Sequence, residues 1–438
     1  MKTTLVDEPV EQDIWKATDR FLSWLGRHGV ESHDPYDLWG TRYGVFARRH
    51  YYAKSIWGLP LVAPLLAVDT FAPGIRGLFV KKERYATAEA QLVLAFLNLY
   101  ACTEDEIYLK RAQTGAEGLL EISIPGYSGH CWGYPFDWQN NRGLWRRNTP
   151  FITCTPYCFE AFLELADATG VEERLHIAAS IARFVAHDLQ DSPVSIHASA
   201  GSYSPNDHTQ VINASAYRAF VLFEAWARFG VDEYWDIAHR NLRFVLDSQR
   251  ADGSWLYALE SKNEGFIDHF HTCFVLKNLR KTNRILGSAE IARRIAIGWH
   301  FYRSALFHDD ETPKSFAIEP RLQLARVELY NFAEAISLGT LLKDSEPKAF
   351  AFAHRLTVRV IRDYQLDDGH FVTRSYRGGL RHTTPFLRWP QAQMFLALTN
   401  MLRAIHAQRN GPEEGLEGFR NMQPPPRRLG SQRGMGAA

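Results

Sequence analysis

The chain has 438 residues, 46% of them hydrophobic and 23% charged, which is enough apolar material for a large buried core. Its 50 Lys and Arg nearly balance its 49 Asp and Glu. No overall field therefore draws nucleic acid, although Arg142, Arg146 and Arg147 form a local basic patch suited to an anion. Five scattered cysteines without a Cys-x-x-Cys pair argue against a disulfide framework and for a reducing compartment.

The opening stretch, "MKTTLVDEPVEQDIW", is acidic and lacks the apolar core of a secretory signal, so a cytoplasmic protein is expected. A helix is predicted over "EQDIWKATDRFLSWLG". The most apolar run, Ser55 to Val68, is shorter than the roughly 20 residues a membrane span needs and contains Pro60 and Pro64. Buried packing is the expected role of that run, with contact at a membrane surface as the other reading.

From residue 87 onward the chain repeats. Shifted by 60 positions, Tyr157 falls on Tyr217, Gly170-Val171 on Gly230-Val231, Glu173 on Glu233, Ala178 on Ala238, and Arg183-Phe184-Val185 on Arg243-Phe244-Val245. Each unit opens with a helix apolar almost all round, such as "AYRAFVLFEAWARFG", and turns through glycine into an amphipathic second helix. An all-apolar helix is buried, and an amphipathic one faces solvent. Looser copies begin near Thr87, Thr272 and Glu328, for five hairpins in all. The last inner-type helix, "PQAQMFLALTNMLRAI", lacks a partner after it, and the N-terminal helix lacks one before it. Pairing the two closes a ring of six hairpins. The expected fold is therefore all-α, a single (α/α)6 toroid over residues 1–409 followed by a disordered tail over 410–438, with an open solenoid as the alternative.

Turns within hairpins are short, but the returns between them are long: Ser123 to Pro150, Asp191 to Gln210, Arg250 to Gly265, Phe307 to Leu324 and Leu366 to Pro385. In an alternating ring all five lie on one rim, where function is expected. They mix aromatic with polar and charged residues, which suits a sugar: ring faces stack while Asp, Asn, Arg and His bind hydroxyls or carboxylates. Trp132, Tyr134, Trp138, Arg142, Trp255, Arg374 and Arg388 are the candidate binding residues.

Two returns begin with a shared pattern, "QRADGSW" and "QLDDGHF". In these stretches Gly253 and Gly369 permit a tight turn while Asp252 and Asp368 satisfy backbone amides, a structural role. A similar Gln-x-x-x-Gly-x-Trp repeat occurs in triterpene cyclases, but their Asp-x-Asp-Asp acid motif is missing, because Gln365 stands where its first Asp would be. The segments "QRADGSWLYALESKNEGFIDHFHTCFVLKNL", "VELYNFAEAI" and "RWPQAQMFLAL" resemble a group of toroidal proteins encoded with bacterial surface-polysaccharide genes, similar in pattern to the helical domain of glucuronyl C5-epimerases. That resemblance covers about Tyr203 to Leu402 and implies the toroid, a polysaccharide or lipid-linked precursor as substrate, and polysaccharide-assembly proteins as possible partners. Two departures from its pattern are Glu328-Leu329-Tyr330 in place of "DxH" and Cys273 at the end of "FHTC".

Two chemistries fit the rim. Epimerisation or β-elimination at a uronate needs an acid–base pair beside C5 and a cation for the carboxylate, for which Tyr203, His208, His271, Tyr330, Arg374 and Arg388 supply the groups. Glycoside hydrolysis needs two carboxyl groups, for which Asp137, Asp207, Asp268 and Glu328 are the candidates. A noncatalytic toroid that binds a glycan or a partner is the alternative outside enzymology. "DHFHTC" and "GHC" resemble the zinc ligands of lanthionine cyclases, yet His271 and Cys273 point in different directions on a helix, so neither metal nor cofactor is expected.

Overall fold

A computed structural model describes residues 8–259, 265–319 and 325–410. Helix α1 (Glu8–His28) is followed by a two-helix insertion, α2 (Arg42–Tyr52) and α3 (Gly58–Phe71). Five hairpins come next: α4 (Ala86–Thr103) with α5 (Glu106–Glu121), α6 (Thr155–Thr169) with α7 (Glu172–His187), α8 (Ile212–Phe229) with α9 (Asp232–Asp247), α10 (His269–Leu286) with α11 (Ala289–Ala305), and α12 (Leu329–Leu341) with α13 (Pro347–Tyr364). Helix α14 (Ala392–Asn410) is the last among the described residues. The proposed tail beyond it lies outside the described residues.

The first helix of each hairpin is buried on nearly every side, as the unbroken buried run from Ala86 to Leu99 in α4 illustrates. These helices pack in sequence, α4 on α6, α6 on α8, α8 on α10, α10 on α12 and α12 on α14, and α14 packs back on α4. The ring is closed, so the fold is the all-α (α/α)6 toroid and the open solenoid is excluded. Each inner helix is backed by its amphipathic partner, and α1 backs α14 while touching α13. Tight turns join the pairs: α6 and α8 end at Gly170 (φ 68°) and Gly230 (φ 69°), left-handed positions that glycine takes without steric cost.

The repeated Gln-x-x-Asp-Gly pattern fastens neighbouring outer helices. Gln249 Nε2 donates to the carbonyl of Gly253 (3.1 Å) and to that of Arg294 in α11 (3.0 Å). Gln365 repeats this with the carbonyls of Gly369 (2.9 Å) and Ala17 in α1 (2.8 Å), so the second copy fastens the seam of the ring. At Gly253 (φ 91°) a Cβ would meet the Ile297 carbonyl at 2.6 Å, and at Gly369 (φ 109°) it would meet that of Arg20 at 2.1 Å. Asp252 and Asp368 close their turns by accepting from the amides of Ser254 and His370.

The long returns carry short ribbons: β1 (Trp138–Asn140) with β2 (Gly143–Trp145), β3 (Asp191–Pro193) with β4 (Ser199–Gly201), β5 (Ile267–Asp268) with β6 (Phe316–Ile318), and β7 (Ala325–Glu328) with β8 (Arg374–Tyr376) and β9 (Arg381–His382). The β5–β6 and β7–β8 pairings join the third, fourth and fifth returns, and the Ile152 and Ile212 amides, donating to the carbonyls of Tyr203 and Tyr257, join the first three, so this rim is one connected layer at the N-terminal ends of the inner helices.

The insertion departs from expectation. Only one side of α3, with Leu61, Val62, Leu65, Val68 and Asp69, is covered, so the apolar run read as buried packing is half exposed.

Candidate active site

Each inner helix begins at the loop rim, so the residues at its first turn face the same side. Asp268 ends β5 and caps α10: its Oδ1 accepts the amide of His271 at 2.9 Å while Oδ2 lies 2.5 Å from His271 Nδ1. The carboxylate is buried and the imidazole partly exposed. With Nδ1 engaged by the Asp268 carboxylate, Nε2 is the ring nitrogen left free to face a ligand. The rings of Tyr257, Phe266, Phe270 and Phe274 surround the imidazole at centroid distances of 4.6, 6.4, 4.4 and 5.9 Å. A cavity of about 10 Å³, enough for one water, lies beside it between Asn213, Trp255 and Tyr257.

Phe270 also connects this dyad to the next inner helix, standing edge-on to Tyr330 at 5.6 Å and to Trp389 at 5.2 Å. Tyr330 and Trp389 are stacked, 3.7 Å apart and within 3° of parallel. Burial, reinforced by Glu334, Tyr157 and Tyr217, holds the Tyr330 phenol well above its ordinary pKa. Near neutral pH the Tyr330 phenol therefore keeps its proton. Glu328, at the head of α12, accepts from Trp389 Nε1 at 3.3 Å and ion-pairs with Arg374 at 2.7 Å.

A set of polar groups that sequence reasoning missed lies deeper among the inner helices. Lys277 Nζ is 2.5 Å from Glu334, and the Tyr157 and Tyr217 hydroxyls are 3.2 Å apart. Burial acts to lower the Lys277 pKa, but Glu334 and the nearby Cys273 and Tyr217 outweigh it and keep the ammonium charged. The signal was available: Tyr157 and Tyr217 are the matched pair of the 60-residue offset, and Lys277 and Glu334 are charges inside otherwise apolar helices.

The first return forms an aromatic wall. Trp138 packs against Tyr134, Trp145, Phe151 and Tyr203, and Trp145 stacks on Tyr203 at 5.9 Å. Tyr203 is buried, and that burial raises its pKa. The Arg388 guanidinium lies 4.8 Å from the Tyr134 ring and 5.7 Å from that of Trp389.

Several expected roles need correction. Trp132 and Trp255 are buried, and their indole N–H groups donate to the carbonyls of Leu119 (2.8 Å) and Val245 (2.9 Å) near the ends of the preceding outer helices; of the two, Trp255 lines the small cavity beside His271. The two arginines expected to clamp a carboxylate already hold acids. Arg388 binds Asp34 through Nε and Nη2 at 2.6 and 2.8 Å, and Arg374 lies between Glu328 and Asp69, the latter at 3.0 Å. Asp137 is engaged by Arg146 (3.0 Å) and the Arg147 amide (2.8 Å). Asp207 accepts from the amides of Tyr203, Ser204 and Thr209 and from two hydroxyls, which makes it the organiser of its loop. His208 is exposed, its carbonyl accepting from Ser192, and Arg142 sits at the β1–β2 turn.

The residues of the two zinc-like motifs are dispersed. His269 Nε2 meets the Tyr302 hydroxyl at 2.6 Å, Cys273 faces the Glu334 carbonyl, and His130 bonds Ser180. Among the described residues no group of three or more His, Cys, Asp or Glu gathers to hold a metal ion.

No protein-family model and no curated protein sequence matches the chain. Solved structures do resemble it in fold. An unsaturated glucuronyl hydrolase specific for heparin superposes with a TM-score of 0.59 at 12% identity, covering 91% of this chain and 98% of its own. Cellobiose 2-epimerase from Bacillus thermoamylovorans B4167 gives 0.57 at 10% identity, over 73% and 87%. A sugar epimerase from a ruminal bacterium gives 0.54 at 12% identity, over 75% and 88%. At such identities the likeness is one of fold.

Proposed function

We propose that this protein is a carbohydrate-processing enzyme of the epimerase or lyase kind, in which His271 removes a proton from a sugar carbon beside a carbonyl or carboxyl group. The observation that carries this reading is the Asp268–His271 dyad, with Nδ1 held at 2.5 Å at the first turn of α10, and a buried Tyr330 of raised pKa on the neighbouring inner helix, with Phe270 packed against both rings. Asp268 orients the imidazole and stabilises the imidazolium formed when Nε2 accepts the proton. Tyr330 returns a proton or assists the departing oxygen. Trp389 and the wall around Trp138 offer ring faces for stacking on a sugar. The epimerases and the glucuronyl hydrolase that share the fold support a sugar substrate.

A uronate was the expected substrate, and the pairing of Arg374 and Arg388 with acids narrows how its carboxylate could be held. A ketose or aldose needs no such clamp, so neutral oligosaccharides belong in the same test. The hydrolytic reading rests on Asp268 and Glu328, which precede the first residues of the neighbouring inner helices α10 and α12. Incubating the protein with uronate-containing and neutral oligosaccharides in deuterated water, followed by NMR, separates the readings. Deuterium on a ring or C2 carbon, or an unsaturated end, supports proton transfer. New reducing ends with every carbon unlabelled refute it in favour of the carboxyl pair.

A further inference from the structure

The insertion presents an apolar surface that the catalytic reading leaves unexplained. Helix α3 contains no charged residue except Asp69, which is buried and held by Arg76 and Arg374. At 100° per residue, its exposed positions Leu59, Pro60, Pro64, Leu66 and Phe71 share one side with Ala63 and Ala67, and no charged side chain interrupts them. Residues just outside the helix extend the surface: Ile56 is 86% exposed, Leu78 82% and Phe79 64%. Solvent-facing helix surfaces are ordinarily polar, so an apolar one marks a docking surface.

Charge identifies what docks there. Between residues 42 and 82 Asp69 is the one acid, and it is buried, whereas Arg42, Arg49, Lys54, Lys81 and Lys82 of the same segment are exposed. This local excess of positive charge stands out in a chain whose formal net charge is +1. Trp57, Tyr43 and Phe46 add exposed aromatic rings of the kind found at the boundary between water and lipid. A second copy of the chain would bring these like charges face to face across a two-fold interface. Among the described residues no helix is long and apolar enough to cross a membrane.

From this we infer that α3 and its flanks dock the protein on the surface of an anionic lipid bilayer, with α3 lying in the interface and the basic residues meeting the headgroups. The inference is independent of the reaction assigned to the rim. It does bear on substrate access, because Asp69–Arg374 and Asp34–Arg388 tie the insertion to the rim loops.

The test is sedimentation of the full-length protein with phosphatidylcholine vesicles containing about 30% phosphatidylglycerol or none, at low and high salt. The protein should pellet with the anionic vesicles and be released by salt. Binding should fall about tenfold or more in Trp57→Ser/Leu59→Ser/Phe71→Ser and in Lys81→Glu/Lys82→Glu, all exposed positions, with circular dichroism unchanged. The inference is overturned if wild type stays in solution with anionic vesicles, if the triple variant binds as wild type does, or if the same residues instead mediate self-association in sedimentation velocity without vesicle binding.

Discussion

Replacing Arg388 with Met tests how the insertion is held to the toroid. Arg388 and Asp34 are both buried, 6% and 0% exposed, and meet in a two-pronged pair at 2.6 and 2.8 Å. Methionine fills much of the volume but leaves the Asp34 carboxylate buried without its counter-charge, and removing one partner of such a pair costs about 3–5 kcal/mol. With an unfolding entropy of roughly 2.1 cal/mol/K per residue, a cooperative chain of this size would melt about 3–5 °C lower. Asp34 Oδ1 also accepts the Tyr36 amide, and Asn can keep that bond while shedding the charge. Arg388→Met/Asp34→Asn should therefore recover most of the loss. Urea unfolding followed by intrinsic fluorescence, with limited trypsin digestion at residues 30–85, gives the readout. A single variant within about 1 kcal/mol of wild type, or a double variant that recovers nothing, would refute the reasoning.

Asp268→Asn should keep the helix cap, since Asn caps nearly as well as Asp, yet disturb the His271 tautomer; stability should change by less than about 1 kcal/mol while turnover falls by about 10²–10⁴. Equal turnover in the two proteins would remove the dyad from the mechanism. Trp255→Phe leaves the Val245 carbonyl without its indole donor and should cost about 2–3 kcal/mol in denaturant unfolding, whereas Trp138→Phe at the aromatic wall should weaken sugar binding more than stability. Acid should destabilise the fold through two buried histidines. Burial lowers His269 to about 3 and His382, helped by Arg374, to about 4, both from 6.5. Because the folded pKa values are depressed, this stabilisation is complete above pH 6.5 and is lost as pH falls toward 3–4. At pH 5 the loss is about 2 kcal/mol for each histidine, and a stability curve flat between pH 5 and 7 would contradict the assignment.

The ring was legible because its evidence is periodic. Tyr157 and Tyr217 sit one repeat apart and touch across α6 and α8, and the two unpartnered terminal helices could only complete the sixth pair. The positions of Asp268, His271, Glu328 and Tyr330 were legible for a related reason, since they stand at the beginnings of inner helices and the repeat directs every such beginning to the same rim. The state of Arg374 and Arg388 was not legible. Their acids, Asp69 in α3 and Asp34 in the segment leading into α2, lie 305 and 354 positions away and outside the repeat. That Trp132 and Trp255 are buried with their indole N–H groups on backbone carbonyls was not legible either, because composition alone cannot say whether an indole finds a carbonyl inside the fold or a ligand outside it. The exposed side of α3 escaped because length and two prolines argue against a span without arguing for burial.

The most direct test of the central claim is deuterium incorporation from solvent into sugar carbons, compared between wild type and His271→Ala with folding verified by circular dichroism. Wild type should label one carbon of an accepted oligosaccharide, or leave an unsaturated end, and His271→Ala should slow that step by about 10²–10⁴. Undiminished labelling in His271→Ala would contradict the account.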